Sequence, residues 1–200
     1  MSPHSIGVKM SIAVPPIINE TQHGVIATDN ITGDLCKQII RLSNKITPMQ
    51  GSVQNKGTDK TGKVLDIRNV LAYRIHEDYK WIDELILNMV IDANKTFNYN
   101  LSGLFERPQL LKYKAPSIGY GWHTDMGNGD ASTRKLGLSI SLNDDYEGGE
   151  FMVFGNGEQQ IALGKGEAIV FSSFLPHKVK PITKGERWSL VAWVSGSCFR

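Results

Sequence analysis

The stretch Tyr120-Gly-Trp-His-Thr-Asp125 sets an imidazole and a carboxylate two residues apart, just ahead of the Gly-rich run Met126-Gly-Asn-Gly-Asp-Ala-Ser-Thr133. On an extended chain, residues i and i+2 point the same way. His123 and Asp125 can therefore both turn into one pocket while Thr124 turns out. A metal held there wants a third protein donor. Of the five histidines, His4 and His23 fall in an irregular N-terminal segment and His76 opens a helix. His177, in Ser172-Ser-Phe-Leu-Pro-His177, stands at the mouth of a later strand. Two imidazoles and one carboxylate on one face of a metal, with its other positions open, form the donor set of a non-haem Fe(II) centre.

Arg187 adds a fourth piece. It lies on the last long strand and shares a face with Ser189, ten residues beyond His177. An arginine turned into an apolar interior is costly unless an anion meets it. Its guanidinium fork binds a carboxylate through two bonds, and a neighbouring hydroxyl can add another. Tyr113, inward on an earlier strand, offers one more O–H. A pocket with a metal at its mouth and a carboxylate clamp deeper in fits a 2-oxo diacid: the oxo-acid end chelates the metal and the far carboxylate reaches Arg187.

The elements that must position these groups divide the chain. Residues 1–29 read as an arm or an edge strand. Leu35, Ile39, Leu42 and Ile46 recur at helical spacing from Asp34 to Ile46, with Thr32 or Asp34 able to cap the start and Pro48 to stop it. The polar, Gly-rich segment 48–63 reads as a lid-like loop. Within it, Gly57-Thr-Asp-Lys-Thr-Gly62-Lys63 mimics a phosphate-binding loop, but Val64 stands where a Ser or Thr would hold magnesium. A second, longer helix carries the stripe Ile75, Tyr79, Ile82, Ile86, Met89, Val90, Ala93 and Phe97, and residues 98–108 link it onward.

From Gln109 the pattern changes to short β runs. Strands are expected over 109–115, 135–143, 150–154, 159–163, 167–171 and 186–195, with Asn143 to Gly149 as a turn in which Asp144, Asp145, Gly148 and Gly149 supply turn chemistry. Leu136, Leu138, Ile140 and Leu142 oppose Gly137, Ser139 and Ser141; Arg187, Ser189, Val191 and Trp193 share one side of the last strand. Trp122 and Trp193 read as pocket walls. Helices before strands, rather than alternating with them, indicate an α+β, mainly β chain with an antiparallel sandwich or barrel.

Bulk properties exclude other classes. Two hundred residues, 40% apolar and 21% charged, suit one soluble domain. A formal charge of +2 gives no reason to expect nucleic acid or an anionic membrane as partner. No apolar run approaches membrane-spanning length. Cys36 and Cys198 lack metal-type spacing and read as reduced thiols in the cytoplasm (the host's cytoplasm, for a phage protein), with a single disulfide between them left open.

Tyr113, His123-x-Asp125, Leu142-Asn-Asp-Asp-Tyr-Glu-Gly-Gly-Glu150 and His177 followed by Arg187-x-Ser189 resemble, in that order, the Fe(II)/2-oxoglutarate-dependent dioxygenases, and more narrowly their prolyl 4-hydroxylase-like branch with its small bacterial and phage members. The resemblance covers residues 109–195. It implies a double-stranded β-helix (jelly-roll) core over 109–195, supported by the arm, helices and loop of 1–108. It carries iron ligation to His123, Asp125 and His177 as the catalytic residues, the oxoglutarate salt bridge to Arg187, and pocket roles to Tyr113 and Ser189. It also implies dioxygen as co-substrate, ascorbate as reductant, and hydroxylation of an unactivated C–H bond with release of succinate and CO2. The substrate class would be a peptidyl proline, another protein or amino-acid group, or a small molecule. Ser141 stands where some prolyl hydroxylases carry a second pocket Tyr or Lys, which loosens the link to prolyl peptides. Two rivals stay open on the residues alone: a jelly-roll metalloenzyme that uses no oxoglutarate, and a non-catalytic metal-binding module.

Overall fold

The computed structural model describes residues 25–28, 30–50 and 70–197. Most of the expected loop 48–63, with its phosphate-loop mimic, lies outside the described residues, as does Cys198.

In chain order the described elements begin with strand β1 (Val25–Thr28) and helix α1 (Gly33–Arg41), which runs into a 3-10 turn, Leu42–Lys45. Thr32 caps α1, its Oγ1 accepting from the Leu35 N–H at 3.2 Å. Strands β2 (Met49–Gln50) and β3 (Leu71–Arg74) precede helix α2 (Lys80–Phe97). The helix is shorter than its apolar stripe predicts. Ile75 follows β3 directly, His76 sits in the turn that leads to the helix rather than opening it, and Tyr79 is the N-cap. All three bury or expose their side chains without helical backbone, because apolar period alone does not distinguish a helix from the turn that feeds it. At the other end Asn98 takes the left-handed conformation (φ 55°), and the Asn94 side chain both donates to and accepts from the Tyr99 backbone.

Strand β4 (Leu101–Gly103) lies within the expected linker. Then come β5 (Gln109–Lys114), β6 (Tyr120–His123), β7 (Arg134–Ser141), β8 (Glu147–Gly148), β9 (Phe151–Gly155), β10 (Gly157–Ile161), β11 (Ala168–Ser172), β12 (His177–Val179), β13 (Ile182–Lys184) and β14 (Glu186–Gly196). They build an eight-stranded antiparallel major sheet, ordered β1-β11-β7-β14-β5-β3-β2 with β4 also on β14, and a four-stranded minor sheet, β10-β9-β12-β6. Residues ahead of 109 thus supply four of the eight major strands.

Period-two alternation sorts the major sheet into two faces. Leu110, Leu136, Leu138, Ile140, Leu142, Leu190, Ala192 and Val194 pack with Ile39, Ile82, Ile86 and Phe97 of the helices. Leu111, Tyr113, Ile169 and Phe171, on the opposite face, pack with Phe151, Val153 and Val179 of the minor sheet. The fold is a double-stranded β-helix, α+β and mainly β, with helices backing one sheet. Among the described residues no helix is long and apolar enough to cross a membrane. Cys36, on the buried side of α1, is a free, fully buried thiol, and burial pushes its pKa up.

Candidate metal centre and co-substrate pocket

The two histidines meet by strand pairing. β12 runs antiparallel to β6 with His177 directly opposite His123, and their rings lie 4.1 Å apart between centroids. Each ring is held in the same way. His123 Nδ1 lies 2.8 Å from the carbonyl of Gly121, and His177 Nδ1 lies 2.9 Å from that of Leu175. A carbonyl can only accept, so Nδ1 carries a proton in both rings and, in the neutral ring, Nε2 holds the lone pair. This is the tautomer a metal requires.

Asp125 is not on the strand that carries His123. β6 ends at His123, and the chain then turns so that the N–H groups of Asp125 and Met126 both donate to the Ser173 carbonyl at 2.9 Å. That turn, rather than strand alternation, delivers the carboxylate. Its oxygens lie 3.8 Å from His123 Nε2 and 3.7 Å from His177 Nε2. These are too long for hydrogen bonds, so the imidazoles and the carboxylate converge without satisfying one another. One ligand atom from each residue falls within 4.8 Å of the others. Two neutral imidazole nitrogens and a carboxylate oxygen on the wall of a cleft fit a divalent iron, with further positions open to the cleft.

Further residues fix this geometry. Gly137 lies on the inner face of β7 beneath the carboxylate; a Cβ there would stand 3.0 Å from Asp125 Oδ2 and 2.8 Å from the Phe171 ring. Arg134 donates through Nη1 to the Asp125 carbonyl at 2.9 Å. Its remaining edge forks onto Glu106, Nε to Oε1 at 2.6 Å and Nη2 to Oε2 at 2.5 Å, and the guanidinium stacks 4.1 Å over Trp193. Tyr120 stacks on the His123 ring at 3.5 Å, while Phe151 and Phe171 flank His177.

Arg187 lies in the same cleft, of about 930 Å³, which it lines together with the triad. It is 3% exposed. Nη1 donates to Ser189 Oγ at 3.1 Å, and Nε has no hydrogen-bond partner. No carboxylate of the described residues pairs with it. Tyr113, its cross-strand partner on β5, holds its ring 5.9 Å from the guanidinium. Across the stem, a Cβ on Gly149 would come within 2.8 Å of Arg187 Cδ. A buried guanidinium left partly unsatisfied, with a hydroxyl beside it, fits the far carboxylate of a dicarboxylic co-substrate.

The 2OG-Fe(II) oxygenase superfamily model matches residues 108–195, the segment holding all six of these side chains. Over that segment the chain is similar to the 2OG-Fe(II) oxygenase superfamily. Among similar proteins, a PKHD-type hydroxylase of Thermosynechococcus vestitus is 35% identical over 125 residues, covering 59% of this chain and 55% of the relative. A PKHD-type hydroxylase of a Picosynechococcus strain is 40% identical over 111 residues, 54% of this chain and 51% of that one. The chain thus spans about half the length of the curated relatives it matches. The fold is shared with solved prolyl hydroxylases. A Pseudomonas putida prolyl-4-hydroxylase superimposes with a TM-score of 0.66 at 20% identity, covering 88% of this chain and 94% of that one. A Trichoplax adhaerens prolyl hydroxylase, solved with a peptide fragment of hypoxia inducible factor, gives 0.68 at 20% identity over 86% and 84%.

Within this fold, the structure brings together His123, Asp125 and His177, and separately Arg187, Ser189 and Tyr113, all within one cleft. Trp193 walls that cleft as expected; Trp122 also lines it but stays 43% exposed, its ring against Phe154. The turn residues Asp144 and Asp145 remain exposed, and Asn143 ties their turn to β14 through Trp188 and Glu186. Sequence reading missed Arg134, Glu106 and Gly137. Arg134 and Glu106 are 28 residues apart with no periodic relation; a charged residue heading the strand after the Asp125 turn was the only signal available.

Proposed function

We propose that the chain is an Fe(II)- and 2-oxoglutarate-dependent dioxygenase that hydroxylates a C–H bond of a peptidyl proline or another protein or amino-acid group. One observation carries the reading: a buried arginine without a carboxylate partner opens into the same cleft as two Nε2 lone pairs and a carboxylate. A hydrolytic metalloenzyme has no use for the arginine, and a purely structural module has no use for the convergence of both. His123, Asp125 and His177 hold the iron, and Arg187 takes the distal carboxylate of oxoglutarate with Ser189 and Tyr113 beside it. When bound, iron and oxoglutarate supply the oxidising power: dioxygen gives one oxygen atom to the substrate as hydroxyl and one to succinate, with release of CO2.

The chain's own residues prepare that reaction. The carbonyls of Gly121 and Leu175 fix the tautomer and the aim of both imidazoles. Phe151 and Phe171 keep water from the back of His177. Arg187 and Ser189 fix the co-substrate at its far end, so that its oxo-acid end meets the metal in one orientation. Ascorbate serves as the reductant that restores iron after turnovers without substrate. The similarity of fold to a prolyl hydroxylase solved with a peptide, and a cleft larger than oxoglutarate requires, support a peptide substrate.

The test is conversion of oxoglutarate to succinate by the Fe(II)-loaded protein, with His177→Ala as control. Wild-type protein is expected to form succinate, and His177→Ala to lose both turnover and metal binding while keeping its circular-dichroism spectrum. Equal succinate from both proteins would remove His177 from the metal and the proposal with it.

A further inference from the structure

The inner face of the major sheet is laid out in crosswise rows. One row pairs Tyr113 with Arg187; the next runs Ala72, Leu111, Ser189, Ser141; the next Arg74, Gln109, Val191, Ser139. A fourth pairs Trp193 with Gly137, the glycine under the Asp125 carboxylate. Arg74 belongs to this inner face by alternation: Ala72 packs in the cluster between the sheets, Tyr73 in the cluster under the helices. Its side chain is exposed and lines the cleft.

Every other charge lining the cleft is accounted for. Arg134 is neutralised by Glu106. With the proposed iron and oxoglutarate in place, the charges of Fe(II) and Arg187 balance those of Asp125 and the dianion. Arg74 has no hydrogen bond or ion pair among the described residues. Among the described residues the loaded site is therefore left with one uncompensated positive charge, and it stands two rows from Arg187, next to the row that holds Gly137.

We propose that Arg74 is a specificity-determining residue that binds a carboxylate of the substrate, so that this site selects peptides bearing an acidic side chain close to the hydroxylated residue. This rests on the oxygenase reading above. Position fits a peptide with an acidic side chain near the reacting residue. β3 stands three strands from β7, where Gly137 marks the metal, which is about 14 Å across the sheet at ~4.8 Å per strand. The arginine side chain and its bond to a carboxylate cover most of that gap, and the substrate covers the rest. Successive residues of an extended peptide advance about 3.4 Å each, so an acidic residue one or two positions from the reacting one closes the distance.

The experiment uses Mn(II)- and oxoglutarate-loaded protein without oxygen, and fluorescent hexapeptides with a central proline. In each peptide one flanking position carries Glu, Gln or Lys. Anisotropy is expected to show the Glu peptide binding roughly tenfold more tightly than its Gln isostere at one position at least, as a charge-assisted bond implies, with the advantage shrinking in high salt. Arg74→Glu is expected to reverse the order in favour of Lys, and Arg74→Lys to keep part of the Glu preference. Equal binding of Glu and Gln peptides at every position, or an order unchanged by Arg74→Glu, overturns the inference and leaves the oxygenase reading untouched. Discrimination by a protein that binds no oxoglutarate does the opposite: it keeps the role of Arg74 and removes the oxygenase reading.

Discussion

The two faces of the major sheet are made by the same strands and do different work. On β7 and β14 the helix-facing residues are Leu136, Leu138, Ile140, Leu190 and Val194, all buried among apolar neighbours. The cleft-facing residues between them are Gly137, Ser139, Ser141, Arg187 and Ser189, equally buried but small or polar. Burial alone does not separate the faces; satisfaction does. The helix face buries apolar area and stabilises the fold by roughly 25 cal/mol per Å². The cleft face keeps a guanidinium Nε unpartnered in the interior, which costs stability and, in the function proposed above, is completed by the co-substrate. One face holds the sheet in place, and the other is left incomplete for chemistry.

Substitutions on either face can break that division. Ile140 is fully buried on the helix side, and Ile140→Ala is expected to cost about 2–5 kcal/mol, the range for a large-to-small change in a packed core. Urea unfolding measures it, and the fraction that stays folded should keep the wild-type requirement for oxoglutarate. A changed requirement would mean that the faces are coupled. Arg187→Met keeps most of the volume on the cleft side and removes the charge. The oxoglutarate requirement should rise well over tenfold, since charge-assisted bonds contribute about 1.5–3 kcal/mol each. Stability without ligand should hold or increase, because replacing a buried, poorly paired charge by an apolar chain is often neutral or stabilising. Lower stability with unchanged oxoglutarate dependence would place Arg187 with the scaffold instead.

Much of this division is legible in the sequence, because long strands that alternate write both faces at once. β5, β7, β11 and β14 each run five residues or more, enough for a period of two to stand out. Leu136 to Leu142 against Gly137 to Ser141 marks the helix side and the cleft side, and Arg187-x-Ser189 marks the clamp. The shorter elements leave no such trace. β3, β6, β12 and β13 are three or four residues each, and their places come from pairing with distant strands. His177 meets His123 because β12 lies beside β6, a register no local pattern encodes. Asp125 reaches the two histidines through a turn onto Ser173, so its alternation with His123 gives the right neighbour for the wrong local reason. Ile75 and Tyr79 continue the apolar stripe of α2 from outside the helix, and the stripe alone overstates its length.

The smallest expected effect tests how the cleft face is braced from outside. Glu106 precedes β5 and touches neither the triad nor the clamp; it holds Arg134, which in turn holds the Asp125 carbonyl. Glu106→Gln keeps the shape and an acceptor oxygen but removes the charge, so the fork on Arg134 loosens without opening a cavity. Outer partners of metal ligands are typically worth 10–100-fold in metal affinity when deleted. A conservative amide at two bonds' remove should therefore give about tenfold or less, read as weaker Co(II) binding by absorption titration. The oxoglutarate requirement at saturating metal should not move, because Arg187 lies on separate supports across the sheet. Glu106→Asp, with its charge intact but its reach shortened, should fall between wild type and the amide. If Glu106→Gln binds Co(II) like wild type, Arg134 orients Asp125 unaided through its stack on Trp193, and the bracing of the metal ligand stops at the cleft wall.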